Sequence, residues 1–290
     1  MKFLNMESIG SPIVQIKNGT GKLKNKIVCL DSNAKALHGF NELKIDGDDT
    51  YFQLLPNPKT ERQILYIAGC SGSGKSYFTK LYLQEYKKQF PNNKIYMFSS
   101  IGQDPSLDGG KIDYIGIAPE LLEDSLTAED FKDSMVIFDD CEAIDNKQLR
   151  NECIRILNSI LTTGRHYNVS CILTYHEICA GLATKKILNE CHSITWFPKT
   201  LGTRSMKYLC DQYLGMDKEE IKRIKKLKTR AVSVVKGYPK VVVSQKQIYA
   251  LCDGSDSDSS ESSDSEEEII VRRKKTPIYK QKKNGKYINI

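Results

Sequence analysis

Gly69, Gly74, Lys75 and Ser76 fall in the spacing G-x-x-x-x-G-K-S, directly after the apolar run Ile64-Leu-Tyr-Ile-Ala68. That spacing suits phosphate. Glycines let the backbone curl so that successive N–H groups turn inward on an anion. A lysine at position 75 reaches the β- and γ-phosphates of a nucleotide, and the Ser76 hydroxyl is a ligand for Mg²⁺. The segment Ser76–Phe90 has a helical pattern, so its positive N-terminal end faces the same anion. Gly69, Cys70, Ser71, Gly72, Ser73, Gly74, Lys75, Ser76 and Tyr77 are therefore the candidate site for ATP with Mg²⁺.

A phosphate-bound Mg²⁺ needs a carboxylate at the tip of a neighbouring strand. Met135-Val-Ile-Phe-Asp139-Asp140 is an apolar run ending in two acids. Asp139 is the candidate metal ligand alongside Ser76. Asp140 is the candidate base that polarises an attacking water, with Glu142 as a possible substitute. Read without the phosphate loop, the same residues would be an acidic turn.

The third element is Thr162-Thr-Gly-Arg-His-Tyr-Asn-Val-Ser-Cys-Ile-Leu-Thr-Tyr-His176. A helix ends at Gly164, Arg165 and His166 follow in the turn, and a strand runs to His176. If that strand lies between the phosphate-loop strand and the Asp139 strand, His176 faces the γ-phosphate as a polar sensor. Arg165 is either a cation that reaches a neighbouring subunit's nucleotide or a cap on its own helix. His166 reads as a packed structural residue.

The elements that must position these groups alternate. Strands are expected at Gln63–Ala68, Lys94–Ser99, Met135–Asp139, Val169–Tyr175 and Ser193–Phe197, and helices at Ser76–Phe90, Asn146–Thr163 and Ile178–Glu190. Such alternation implies an α/β fold, a parallel sheet with helices on both faces. Ligands of such sheets bind outside the carboxyl ends of the strands, where each motif residue is expected. Residues 1–58 carry turn signals and two short β-type runs, Ile13–Ile16 and Lys26–Leu30, and read as a small N-terminal β element. The ATPase domain is expected over 59–252. It closes with helical sequence at 203–228 and a hairpin formed by Ala231–Val235 and Lys240–Val243. Residues 253–290 read as a disordered tail: Asp253–Glu268 holds eight acids among serines, and Val271–Ile290 holds eight Lys or Arg. The tail charges cancel, so the formal +7 belongs to residues 1–252 and suits a polyanionic partner. Lys218–Arg230, with seven basic residues, is the leading candidate for touching it.

Nine cysteines occur without a C-x-x-C pair, no secretory signal is visible, and no apolar run approaches the roughly 20 residues of a spanning helix. The expectation is an intracellular protein with free thiols and no membrane-spanning segment. Cys179 and Cys191-His192 match no zinc spacing.

The combination of Gly69–Ser76, Asp139-Asp140, Gly164-Arg165-His166-Tyr-Asn-Val-Ser and a strand ending Thr-Tyr-His176 resembles the DNA-packaging ATPases of large nucleocytoplasmic DNA viruses. These belong to the FtsK–HerA superfamily, with the poxvirus-type packaging ATPase as the familiar member. The resemblance covers about 61–198, and the Arg-His-x-Asn element is its most discriminating part. It implies a P-loop NTPase of the ASCE type and a self-associating ring motor. Such a motor hydrolyses ATP to push double-stranded DNA into a capsid, with capsid or portal proteins as partners and a host-cytoplasm (viral factory) or virion location. Two positions depart from the superfamily's usual residues: Asp140 stands where Glu is frequent, and His176 where Gln is frequent. Two other readings stay open: a P-loop kinase of nucleosides or nucleic acid, and a nucleotide-gated virion scaffold with little turnover.

Overall fold

Apolar runs in which every residue is buried mark strands covered on both faces, and Ile64–Ala68 and Ser170–Tyr175 are of that kind. The computed structural model describes residues 3–31, 39–60, 62–99, 102, 104, 107 and 111–251. The expected tail, 253–290, lies outside the described residues.

The N-terminal segment forms a four-stranded antiparallel sheet from β1 (Phe3–Asn5), β2 (Ser11–Lys17), β3 (Ile27–Asp31) and β5 (Tyr51–Leu54), in the order β1-β3-β2-β5. The two runs legible in the sequence are β2 and β3. Strand β4 (Glu42–Lys44) leaves this sheet and pairs with the C-terminal end of the main one.

The main sheet contains β6 (Ile64–Ala68), β7 (Lys94–Ser99), β8 (Ile112–Gly116), β9 (Ser134–Asp139), β10 (Ser170–Tyr175), β11 (Ser193–Trp196), β12 (Val232–Val235), β13 (Val241–Ser244) and β14 (Gln247–Ala250). With β4 it has ten strands, in the order β4-β14-β13-β12-β11-β6-β10-β9-β7-β8. From β11 to β8 every pairing is parallel. From β11 to β4 every pairing is antiparallel. The expected parallel sheet is thus the larger half of a mixed one. The C-terminal hairpin extends the sheet rather than standing apart from it.

Side-chain alternation divides the core into two layers. Ile64, Tyr66 and Ala68 of β6 face the layer holding α2 (Lys147–Thr163) and α3 (Leu182–Glu190). Leu65 and Ile67 face the layer holding α1 (Lys75–Gln89) and the N-terminal sheet. Helix α2 shows why it forms where it does. Asn146 caps it by accepting from Gln148 N and Leu149 N. Its buried residues Leu149, Cys153, Ile156, Leu157, Ile160 and Leu161 recur at helical spacing on one face. Truncating one of the fully buried isoleucines to alanine would cost about 2–5 kcal/mol.

The helical stretch expected over 203–228 is broken. Helix α4 (Thr203–Tyr208) runs into a π-helical turn at Leu209–Tyr213. Gly215 then takes a left-handed φ of 60°, and α5 (Lys218–Lys226) restarts behind a capping box of Asp217 and Glu220. Likewise α3 begins at Leu182 rather than Ile178, because Gly181 turns the chain with φ 58°.

Candidate functional site

Strand β10 lies between β6 and β9, with Tyr175 beside Ala68 and Thr174 beside Asp139. Parallel pairing in that register brings the three carboxyl ends to one edge of the sheet. The phosphate loop, the Asp139-Asp140 pair and His176 therefore meet there.

The loop's geometry depends on its glycines. Gly74, which precedes α1, takes φ 114°, a conformation side chains strain to adopt. At Gly69 a Cβ would come within 2.6 Å of Ser73 Oγ and 2.7 Å of Phe197 Cδ2. Cys70, Ser71, Gly72, Gly74, Lys75, Ser76 and Tyr77 line a cleft of about 330 Å³. Asp104, Asp139, Asp140 and His176 line its other side.

Lys75 is 8% exposed, and its Nζ donates to Gly69 O at 3.0 Å. The same ammonium lies 3.4 Å from Asp140 Oδ1 and 3.5 Å from His176 Nδ1. His176 Nε2 stands 2.9 Å from Asp140 Oδ2. Lys75, Asp140 and His176 therefore form one connected cluster.

Asp139 and Asp140 are held differently. Thr174 donates its hydroxyl to Asp139 Oδ1 at 2.5 Å. Burial pushes the Asp139 carboxyl above its ordinary value, the Thr174 hydroxyl opposes this, and the nearby acids Asp140 and Asp104 add to it. Asp140 sits at φ 45°, ψ 36°, just past the strand end. An acid in the left-handed region is a strained conformation of the kind that gathers at functional sites. Its amide is pinned to β10 by Thr174 O at 3.1 Å and Thr174 Oγ1 at 3.2 Å. Glu142 is tied to the same strand tip, its Oε1 accepting from His176 N at 2.7 Å. Its other carboxylate oxygen is buried without a partner among the described residues, and burial pushes its pKa up.

The donor set fits Mg²⁺ and a polyphosphate. Ser76 and Asp139 offer one hydroxyl and one carboxylate to the same cleft, the oxygen ligation that hard cation takes. The backbone N–H groups at the start of α1 and the Lys75 ammonium supply the positive side.

Arg165 and His166 are not brought to this edge. They precede β10, in the turn after α2, at the opposite end of the strand, and both are exposed. The general placement of motif residues at carboxyl ends fails for these two, because the helix-to-strand turn of a parallel unit lies on the other side of the sheet. Arg62 lies at that end too, donating to the last-turn carbonyls Ile160 O and Leu161 O of α2. Arg62 thus caps the last turn of α2. His192 makes a structural bond, its Nδ1 accepting from Ile64 N at 2.9 Å.

One residue that no sequence motif singles out stands at the loop. Arg230 Nε donates to Ser73 O at 3.1 Å, and its Nη2 lies 3.5 Å from Gly72 O. In the sequence Arg230 reads only as the end of a basic run, and the antiparallel half of the sheet folds it back onto the loop.

The fold and loop together define a P-loop NTPase of the ASCE type, with a strand inserted between the phosphate-loop strand and the acidic strand. No known family's sequence profile matches the chain. It is 38% identical over 241 residues to the uncharacterized protein V3 of Sputnik virophage, a match spanning 82% of this chain and 95% of that one. The chain belongs to that protein's family. Similar solved structures include the genome packaging NTPase B204 from Sulfolobus turreted icosahedral virus 2, bound to ATP-gammaS. That match has a TM-score of 0.44 and 16% identity, and covers 64% of this chain and 97% of that one. The conjugation coupling protein TcpA of pCW3 aligns with a TM-score of 0.41 and 13% identity, over 82% and 77% of the two chains. The cytoplasmic domain of the Thermomonospora curvata type VII secretion ATPase EccC aligns with a TM-score of 0.44 and 11% identity, over 71% and 28%. Among the described residues no helix is long and apolar enough to cross a membrane.

Proposed function

We propose that this chain is an ATP-hydrolysing motor that drives double-stranded viral DNA into a capsid as a ring of identical subunits. The observation that supports hydrolysis is the meeting of Lys75, Asp140 and His176 within 3.5 Å of one another, beside Ser76 and Asp139. In this reading Lys75 exchanges the Gly69 carbonyl for the β- and γ-phosphates. Asp140, oriented by His176 and by its strained backbone, accepts the proton of the attacking water. Ser76 and Asp139 hold Mg²⁺, which when bound offsets the charge of the phosphate oxygens. Thr174 fixes the Asp139 carboxylate, and His176 senses the γ-phosphate from the tip of β10.

The packaging part of the reading is carried by the Gly164-Arg165-His166-Tyr-Asn168 element and the strand ending Thr174-Tyr-His176. Kinship with a virophage protein agrees with a viral setting. Under this proposal residues 59–252 are the motor, 1–58 and 253–290 are appendages, and capsid or portal proteins dock the ring in the viral factory or virion.

Phosphate release from ATP and Mg²⁺ tests this, measured with and without long double-stranded DNA and beside a mass measurement with and without nucleotide. Stimulation by DNA, a ring-sized mass and loss of turnover in Lys75→Ala are expected. A phosphorylated nucleoside or nucleic acid would identify a kinase instead. Absence of turnover would identify a nucleotide-gated scaffold.

A further inference from the structure

A second cavity, of about 370 Å³, lies between the N-terminal sheet and the first turns of α1. Its apolar walls come from three separate elements: Phe52 on β5, Phe78 on α1, and Phe197 just past β11. Gly74 and Tyr77 line both this cavity and the phosphate cleft, so the two adjoin where α1 begins. Tyr77 is 62% exposed, a large aromatic ring left uncovered at that junction. Arg230 stands in the same wall while it grips the phosphate loop through Ser73 O.

The two cavities differ in the groups they offer. The cleft presents Lys75 and a helix N-terminus for phosphate, with Asp104, Asp139 and Asp140 on its wall. The second cavity carries Asp48 and Asp49 at its rim, both exposed. Among the described residues neither carboxylate has a hydrogen-bond or ionic partner, whereas their backbone carbonyls accept from Lys246 and Asn18. Two exposed carboxylates accept hydrogen bonds from N–H and O–H groups. Aromatic walls, a volume in the range of small-molecule sites and a few polar groups at the edge suit a flat heterocycle.

We infer that this cavity holds the nucleoside of a nucleotide whose phosphates occupy the Gly69–Ser76 loop, and that Asp48 and Asp49 select a base bearing an exocyclic amine. The inference rests on reading that loop as a nucleotide site. It makes the N-terminal sheet the wall that tells one nucleotide from another. Tyr77 and the Phe52 side of the cavity bracket the base, and the carboxylates receive its amine N–H.

The test is equilibrium binding of the full-length chain to ATP, inosine triphosphate and inorganic tripolyphosphate, for the natural chain, Asp48→Ala/Asp49→Ala and Lys75→Ala. The natural chain should bind ATP about tenfold tighter than inosine triphosphate, the effect of losing one charge-assisted hydrogen bond. The double alanine variant should bring that ratio to about one and leave tripolyphosphate affinity unaltered. Photolabelling by 8-azido-ATP should fall on the peptides carrying Tyr51–Leu54 or Tyr77–Leu81. Equal binding of ATP and tripolyphosphate, a base preference that survives the double substitution, or label confined to other peptides would each overturn the inference while leaving the phosphate site intact. Tripolyphosphate and ATP affinities that are both negligible, or that Lys75→Ala leaves unchanged, would remove the nucleotide reading and this inference with it.

Discussion

His176 Nε2 lies 2.9 Å from Asp140 Oδ2, and the other oxygen of that carboxylate lies 3.4 Å from the Lys75 ammonium. The carboxylate bridges the phosphate-loop lysine and the tip of the central strand. Neighbouring Asp139, on the same cleft wall, takes the Thr174 hydroxyl at 2.5 Å, which lies 3.5 Å from Asp140 Oδ1. Two adjacent acids of identical chemistry are thus divided by their hydrogen bonds. That division supports giving the metal to Asp139 and the water to Asp140.

Asp140→Asn should bind ATP within a few-fold of the natural chain and turn it over about 10²–10⁴-fold more slowly, since the amide cannot take a proton. Glu142→Gln should retain most activity, because Glu142 serves the backbone of His176 rather than the cleft. Steady-state turnover and nucleotide affinity of the two variants decide the matter. The reverse pattern, an active Asp140→Asn and an inert Glu142→Gln, would make Glu142 the base.

Arg165 stands at the far end of β10 from its own phosphate loop, so any role in hydrolysis must be played on a neighbour. An arginine supplied in this way is worth roughly 10³-fold or more in rate. Arg165→Ala and Lys75→Ala subunits should each be inactive alone and recover part of the activity when mixed. Turnover across a series of mixing ratios, with mixed oligomers confirmed by mass, reads this out. Flat, absent activity at every ratio would confine Arg165 to its own subunit.

Under the proposed packaging function, helix α5 narrows which cations of the basic run would meet DNA. Ile221 and Ile224 are buried, so they set the inward face. Arg223 is paired with Glu42 and lies 3.6 Å over the Tyr249 ring, tying β4 and β14 to the helix. Lys225 and Lys226 on the helix, and Lys228 just past its end, are all exposed. Replacing these three lysines by glutamine should flatten the slope of log affinity against log salt by about 0.9 for each phosphate no longer neutralised. Arg223→Gln should leave that slope alone and lower the melting temperature. An unaltered slope in the triple variant would place the DNA-binding surface elsewhere.

The parts of this fold legible from sequence are those whose neighbours are close along the chain or whose periodicity is strong. Lys94–Ser99 forms the strand its apolar run predicts, and Ser170–Tyr175 takes the place between β6 and β9 on which the role of His176 depends. Strand β8 was hidden because Ile112–Gly116 is an edge strand only partly buried, without the continuous apolar run of its neighbours. Strand β4 is three residues long, too short for any period to register. The place of Arg230 was illegible for another reason. Its bond to Ser73 depends on β12 pairing antiparallel with β11, which sets Val232 beside Trp196 at the carboxyl edge. The local sequence of the expected hairpin does not show which strand it joins.

The N-terminal sheet is fastened to the phosphate-loop helix through a charge cluster whose strength should depend on pH. Glu85 of α1 is 8% exposed, and its Oε1 accepts from Lys17 of β2 at 2.8 Å and from Lys88 at 2.9 Å. Burial alone would raise its pKa, but the hydrogen bonds and charges of Lys17 and Lys88 outweigh burial and hold it below the ordinary 4.5. Between that lowered value and 4.5 the folded chain binds fewer protons than the unfolded one, so stability rises with pH across the window. The contribution is complete above about 4.5 and is lost as pH falls through the folded-state value. Glu85→Gln should therefore cost about 1–3 kcal/mol at neutral pH, because Lys17 loses its carboxylate partner and the substituted amide offers only an uncharged acceptor. The gap between the natural chain and the variant should close under acid. Urea denaturation of both proteins at neutral pH and at a series of pH values falling below 4.5 measures that gap directly, since general acid destabilisation is common to the two. A gap that is absent at neutral pH, or that persists unaltered in acid, would mean that the apolar packing of Phe52 and Leu54 holds the sheet in place without help from this ion pair.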